Sequence, residues 1–326
     1  MTLLITGASG FVGLNIVEAA LARGEDVVAL SIDALPSPAL GAFAGLPGRL
    51  HLAQGDVLDE ALIAGLFQRH RPDRVVPAAA LTPGAGYERR DAGRTLMVNV
   101  VGVVRLLEMA ARHGVQRVVY PSSGSVYGTN AFGPAPLDEV STAPMPESIY
   151  AISKLAAERA ALRFRAIAGL DVVAARLGTV FGPWERNTGV RETLSPQWQI
   201  MGLLDAGREV VLPTPGRRDW IYARDVAAAI LALLDRPAVA SPVINIAPGR
   251  EWTIADWCAA LARRTKSFRW RFAAEGEAAN VDYWTARDRS PMSNARLVSE
   301  MGFTPAFGMD SALDDFLAWR ARVGAV

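Results

Sequence analysis

Cysteine is almost missing from this chain: Cys258 is the only one in 326 residues. A lone thiol forms no internal disulfide and supplies no cysteine-rich zinc site. Histidine is scarce as well. His51, His70 and His113 are widely spaced and fit no metal-ligand pattern, so no metal site is expected. Neither sign of charge is in excess: 34 Lys+Arg face 33 Asp+Glu. Without a basic surplus, neither nucleic acid nor an anionic membrane is an expected partner. No apolar run reaches the roughly 18 residues of a membrane span. The start, MTLLITGASG, lacks the basic and apolar regions of a secretory signal. A reducing cytoplasm is therefore the expected location. Lysine is rare too. Only Lys154 and Lys266 interrupt an otherwise all-arginine set of basic residues, which raises the question of what only lysine does there.

What is present is ordinary for a globular protein, with 51% hydrophobic and 21% charged residues. The length allows one large domain or two. Short apolar segments at 2–6, 27–32, 51–54, 74–79, 117–121 and 171–176 read as strands, with 242–247 as one more. Between them, helical spacing follows the first glycines and recurs at 59–70, about 95–113, 148–168 and 225–234, the last with Asp225 as its N-cap. Residues 33–50, with Pro36, Pro38 and Pro47, read as a loop. Strands alternating with helices imply parallel strands and right-handed crossovers, with both sheet faces covered. The fold class expected is α/β, a Rossmann-type doubly wound parallel sheet with a smaller C-terminal lobe. All eight tryptophans fall at or after Trp184. We therefore assign 1–176, with 220–247 returning to it, to a dinucleotide-binding domain, and 177–219 and 248–326 to a substrate-binding lobe.

Gly7, Gly10 and Gly13 follow the first strand and precede a helix. Glycines there let a backbone approach a pyrophosphate, and the helix N-terminus favours its charge. The end of the second strand separates NAD from NADP. Ser31 would tolerate a 2′-phosphate, but no arginine follows it directly, and Asp33 could reach a ribose. The charge argument favours NAD and leaves NADP open. Asp56 is either an adenine contact or a helix cap.

Tyr150 and Lys154 stand one helical turn apart, so their side chains share a face. A phenol titrates near 10, and a neighbouring ammonium lowers that value. Such a phenolate takes a proton from a hydroxyl while a nicotinamide takes hydride from the same carbon. Ser123 and Ser125 lie in PSSGSVYG after the fifth strand, where open parallel sheets bind ligands.

In these features the chain resembles the extended short-chain dehydrogenase/reductases of the NAD-dependent epimerase/dehydratase type. The resemblance rests on TGASGFVG at 6–13, GDV at 55–57, AAA at 78–80, NVVGVVRLLEMA at 99–110, SSGSVYG at 122–128 and YAISK at 150–154. RLGTVFGP at 176–183, RRDWIYARDVA at 217–227 and NIAPG at 245–249 extend it. It implies Ser123, Tyr150 and Lys154 as the catalytic triad. It implies a cofactor site of Gly7, Gly10, Phe11, Val12, Gly13, Asp56, Val57, Ala78, Ala79, Ala80, Asn99, Tyr150 and Lys154, with Ser31 and Asp33 beside the ribose. The implied function is hydride transfer at a hydroxyl carbon of a sugar or sugar nucleotide, as an epimerase or a dehydrogenase. A dehydrogenase of a free sugar, sugar acid or polyol is the alternative, and a non-catalytic NAD(P) sensor ranks last. A homodimer built on helices 95–113 and 148–168 is also implied, with Val100, Val104 and Leu107 placed either between subunits or against the sheet.

Two departures bear on the substrate. Sugar-nucleotide 4,6-dehydratases of the family carry Asp-Glu after the catalytic hydroxyl, where this chain has Gly124 and Ser125. Dehydration is therefore disfavoured. Many nucleotide-sugar epimerases have asparagine where Thr179 stands. Arg218 matches an arginine used on the diphosphate, with an ion pair to Asp219 or Asp225 as its other reading. Ser125, Thr179 and Arg218 are the substrate-binding candidates. Arg186, Arg191 and Arg287 are further anion candidates. Trp184, Trp198 and Trp220 read as sugar or base platforms, or as core.

Overall fold

A computed structural model describes residues 1–189, 194–283 and 287–324. Along the chain run β1 (Thr2–Thr6), α1 (Phe11–Ala22), β2 (Asp26–Ser31), α2 (Ser37–Phe43), β3 (Arg49–Gln54), α3 (Glu60–His70), β4 (Arg74–Pro77), α4 (Ala85–Leu96), α5 (Gly102–Arg112), β5 (Arg117–Ser123), α6 (Ile149–Ala168) and β6 (Val172–Leu177). Then come β7 (Thr179–Phe181), α7 (Pro196–Asp205), β8 (Val210–Leu212), β9 (Arg217–Arg218), β10 (Trp220–Tyr222), α8 (Ala223–Asp235), β11 (Val243–Ile246), β12 (Trp252–Thr253), α9 (Ile254–Arg264), β13 (Trp270–Phe272), α10 (Ala295–Met301) and α11 (Met309–Val323).

Seven strands form one parallel sheet in the order β11-β6-β5-β4-β1-β2-β3. The order reverses between β1 and β4, and ligands bind outside the strand ends at such a switch point. The fold is the Rossmann-like α/β sheet that the strand pattern implies. The strands are apolar on both faces because both faces are covered. Leu3, Ile5, Val27, Ala29, Val173 and Ala175 face one core with α1 and α8. Leu4, Val28, Leu30, Val172 and Ala174 alternate with them and face a second core with α3, α5 and α6. Burial of each such Leu, Ile or Val side chain contributes ~1.5–3 kcal/mol.

β11 pairs with β6 at the sheet edge, and α8 packs on α1. The later segments pair among themselves as β10 with β7, β12 with β9 and β13 with β8. Their interior is aromatic. Phe181 meets Trp252 and Trp257 edge-on at 5.5 and 5.3 Å, and Trp184 meets Trp319 at 5.0 Å. Trp184 and Trp220 are core residues, at 0% and 3% exposure.

Three sequence expectations need correction. Residues 33–50 contain α2, which Pro38 starts in its first turn and which buries Ala39 and Phe43. The helix read at 95–113 begins ten residues earlier, as α4, and continues through a π-helical turn at Met97–Val101 into α5. The earlier stretch is hidden by a break at Asp91, which has φ −151° and whose carboxylate accepts from the Arg94 amide at 3.0 Å. Asp225 is not an N-cap. That position is Tyr222, and Asp225 sits buried in the first turn of α8. Its carboxylate instead accepts the amides of Ala306 at 2.8 Å and Phe307 at 3.1 Å.

Candidate active site

A cavity of about 530 Å³ opens at the C-terminal ends of β1, β4, β5 and β6. Its first wall is the glycine turn. Gly7 has φ +64°, and a Cβ there would lie 2.6 Å from Ala79 Cα. A Cβ on Gly13 would lie 2.2 Å from the Gly7 carbonyl oxygen. These contacts demand glycine and bring α1 against the turn. No side chain caps α1, whose N-cap is Gly10. A turn of bare backbone ending at an uncapped helix N-terminus suits a pyrophosphate, so the residues fit the dinucleotide that their spacing implies.

The second wall carries the ionisable groups. Ser148 caps α6 by accepting from the Ala151 amide at 3.1 Å. That helix carries Tyr150 and Lys154 into the cavity wall. Lys154 is 5% exposed. Its Nζ donates to the Pro121 carbonyl and lies 4.7 Å from the Tyr120 ring centroid. Burial pulls the Lys154 ammonium down to about 7, and the Glu158 carboxylate opposes the fall. Ser123 Oγ, at the end of β5, accepts from the Ser125 amide at 3.1 Å, which leaves its own proton to donate. Ser125 Oγ is buried and has no partner among the described residues.

The third wall holds cations. Arg218 lies over the Trp220 ring at 5.6 Å. Burial pulls its guanidinium down to about 10, aided by the charge of Arg289 and opposed by Asp219 and Asp288. Arg289 also lines the cavity and donates to Asp219 at 3.3 Å. Two arginines with like charges therefore share one side of the cavity.

Of the residues expected from sequence, Gly7, Gly10, Phe11, Val12, Gly13, Ala78, Ala80, Ser123, Ser125, Tyr150, Lys154, Thr179 and Arg218 line this cavity. Ser31, Asp33, Asp56, Val57, Ala79 and Asn99 do not. Ser31 is buried, with no partner for its Oγ among the described residues. Asp56 bonds Arg94 at 2.6 Å and the Leu58 amide at 3.0 Å, while Asp59 caps α3. Burial works to raise the Asp56 carboxyl, yet Arg94 and the Leu58 amide hold it below its usual range. Asn99 sits in the π-helical turn and clamps Leu81, accepting from the Leu81 amide at 2.8 Å and donating to the Leu81 carbonyl at 2.9 Å. It also donates to Ser153 at 2.9 Å. Arg186 joins the cavity wall, Arg287 stacks on Phe132 at 4.7 Å, and Arg191 lies outside the described residues. None of these three tryptophans lines the cavity.

Sequence reasoning missed Arg289 and Glu185. Glu185 accepts from the Ser195 amide at 2.7 Å and from its hydroxyl. The backbone before it is strained, since Trp184 has φ +68° and is held by an Nε1 bond to Glu18 at 2.7 Å. A Trp-Glu-Arg run after Gly-Pro was the available signal. For Arg289 no local motif gives one.

The family model described as "NAD dependent epimerase/dehydratase family" matches residues 3–247. UDP-glucuronate 4-epimerase 5 of Arabidopsis thaliana is 32% identical over 244 residues, which is 72% of this chain and 54% of that protein. The chain thus spans about half the length of that relative. The dTDP-glucose 4,6-dehydratase of Streptomyces griseus is 31% identical, covering 97% of this chain and 93% of its own. The solved structure of MoeE5 in complex with UDP-glucose and NAD superposes with a TM-score of 0.76 at 28% identity, covering 100% of both chains. With the family match spanning most of its length, this chain belongs to the NAD-dependent epimerase/dehydratase family.

Proposed function

We propose that this chain is an NAD-dependent enzyme that oxidises a hydroxyl carbon of a nucleotide sugar and, as an epimerase, reduces it again from the other face. One observation carries the proposal. The glycine turn, the Ser123, Tyr150 and Lys154 group and the Arg218 and Arg289 pair all border a single cavity. NAD, when bound, supplies the hydride acceptor and later the donor. Gly7, Gly10 and Gly13 hold its pyrophosphate against α1. Ser123 donates a hydrogen bond to the reacting oxygen and orients it. Tyr150 takes the proton from that oxygen and returns it when the carbonyl is reduced. The Lys154 ammonium stabilises the phenolate form of Tyr150. Arg218 and Arg289 receive the diphosphate, since guanidinium groups pair well with phosphate oxygens. Both arginines come from the segments assigned to the substrate lobe, which supports the division at 177–219 and 248–326.

Gly124 supports epimerisation over 4,6-dehydration. A Cβ at that position would lie 2.5 Å from Met292 Sδ, 3.1 Å from Arg289 Nη1 and 3.3 Å from the Leu177 carbonyl oxygen. A carboxylate side chain there would require Met292 and Arg289 to move aside. The second reading, a dehydrogenase of a free sugar or sugar acid, is favoured by Thr179 in place of asparagine. The homodimer proposal is supported by Leu96, Met97 and Ile152, exposed at 37%, 43% and 39%. Leu107 does not belong to that face, because it is fully buried against the sheet.

The test incubates the protein with NAD+ and UDP- or dTDP-sugars, follows reduced nicotinamide and resolves the products by stereochemistry. An inverted hydroxyl without net NADH supports the epimerase. NADH accumulating with a free sugar or sugar acid supports the second reading. Tyr150→Phe is expected to abolish turnover and keep NAD binding. Full turnover in that variant would overturn the assignment of the base.

A further inference from the structure

α6 carries a third ionisable residue on the face of Tyr150 and Lys154. Glu158 follows Lys154 by one helical turn and is 0% exposed. A buried carboxylate is costly unless it is paired and hydrogen-bonded. Here Arg176 of β6 grips it with Nε at 3.0 Å and Nη2 at 2.7 Å. Ser122 of β5 adds its hydroxyl at 2.7 Å. Ser122 precedes Ser123, and Pro121 before it takes the Lys154 ammonium. The Arg176 guanidinium lies over the Tyr127 ring at 4.9 Å, and the Tyr127 hydroxyl donates to Asn245 at 2.9 Å. One carboxylate therefore ties the helix of the proposed base to the strand that ends in the proposed hydroxyl donor.

We propose that Glu158 is a positioning residue for the reaction: tied to Arg176 and Ser122, it fixes α6 against β5 and sets a buried carboxylate one helical turn from the Lys154 ammonium. This rests on the reading of Tyr150 as the base. Among the described residues, Glu88 of α4 accepts from the Tyr150 amide at 3.4 Å. Of the other groups beside Tyr150 and Lys154, Tyr120 and the Pro121 carbonyl face Lys154 from β5, Tyr150 and Glu158 lie along α6, and Arg176 of β6 stands beyond Glu158. Arg218 and Arg289 line the same cavity as Lys154. Tyr120 stays neutral, because burial raises its hydroxyl well above its usual value. Glu158 is thus the acidic group set against the Lys154 burial penalty.

The test is the pH profile of turnover in Glu158→Gln, which keeps shape and removes charge. Without the carboxylate, Lys154 faces an uncompensated Arg176 and gives up its proton at lower pH. Tyr150 then ionises at higher pH. The acid limb of kcat is expected to move up by about one unit or more. Turnover at pH 7 falls about 10-fold and recovers as the pH rises, while KM for the nucleotide sugar holds. An equal loss at all pH values, with the limb unmoved, would mark a purely structural pair and overturn the proposal. If that variant does not fold, Glu158→Gln with Arg176→Met removes both charges, an exchange that buried pairs often tolerate. The same upward shift, smaller in size, is expected there. Failure of both variants to fold would assign the pair to stability alone and overturn the proposal equally. Tyr150→Phe is assayed beside them. If it keeps turnover, the underlying reading fails; if it is inactive while the limb stays fixed, only the role of Glu158 fails.

Discussion

Gly13→Ala is the sharpest single perturbation of the cofactor wall. The added methyl would sit 2.2 Å from the Gly7 carbonyl oxygen and 3.0 Å from Ala8 Cα. Both neighbours are backbone of the same turn, so neither can swing aside as a side chain would. α1 must lift away, and it packs on α8. Overpacking of this kind costs ~1–3 kcal/mol. The lift also carries the helix N-terminus off the pyrophosphate. Gly65 is the control. It lies inside α3, and an added Cβ there meets nothing within 4 Å. Alanine should raise stability at that site by ~0.5–1 kcal/mol. Thermal unfolding of both variants, with and without NAD, measures the two effects together. The expectation is a lower Tm and weakened NAD stabilisation for Gly13→Ala, and a slightly higher Tm with normal NAD stabilisation for Gly65→Ala. Wild-type Tm and NAD affinity in Gly13→Ala would refute the contact argument.

Three further outcomes are expected. Lys154 has its folded value lowered to about 7 by burial, so between there and its unfolded value near 10.4 the unfolded chain binds the extra proton and stability rises with pH. Cofactor-free Lys154→Met should therefore melt above the wild type at pH 6, with the gap narrowing from pH 7 to 10 in a Tm series. Arg218→Met should raise KM for a nucleotide sugar about 10- to 100-fold, the worth of a charged hydrogen bond; initial-rate kinetics with an unchanged KM would remove Arg218 from the anion site. Asp225→Ala removes the acceptor of the Ala306 and Phe307 amides, at ~0.5–1.5 kcal/mol for each part-buried hydrogen bond, and hydrogen exchange at those two residues should accelerate.

The sheet was legible because most of its strands are apolar on both faces and those from β1 to β5 alternate with helices. The glycine turn was legible for the same local reason: strand, glycines and helix are contiguous. Tyr150 and Lys154 were found because a helical turn brings them together in sequence as in space. Long-range partners were not legible. Asp56 read as an adenine contact or cap, and only the fold brings Arg94 to it. Asp225 read as a cap from its place before an apolar helix, yet its partners lie beyond α10. Arg289 reaches the cavity from an irregular segment with no periodicity to betray it. α4 was hidden by the break at Asp91, which resets the helical phase.

The bonds from Asp225 to Ala306 and Phe307 and the reach of Arg289 have a consequence during synthesis. The glycine turn, Ser123, Tyr150 and Lys154 leave the ribosome long before Arg218, and Arg289 emerges later still. A nascent chain made as far as β6 carries the proposed dinucleotide and proton-transfer groups, but not the proposed arginine pair. In the proposed reading, turnover of a nucleotide sugar therefore waits until the segments carrying Arg218 and Arg289 are made and residues 306–307 have docked on Asp225 of α8.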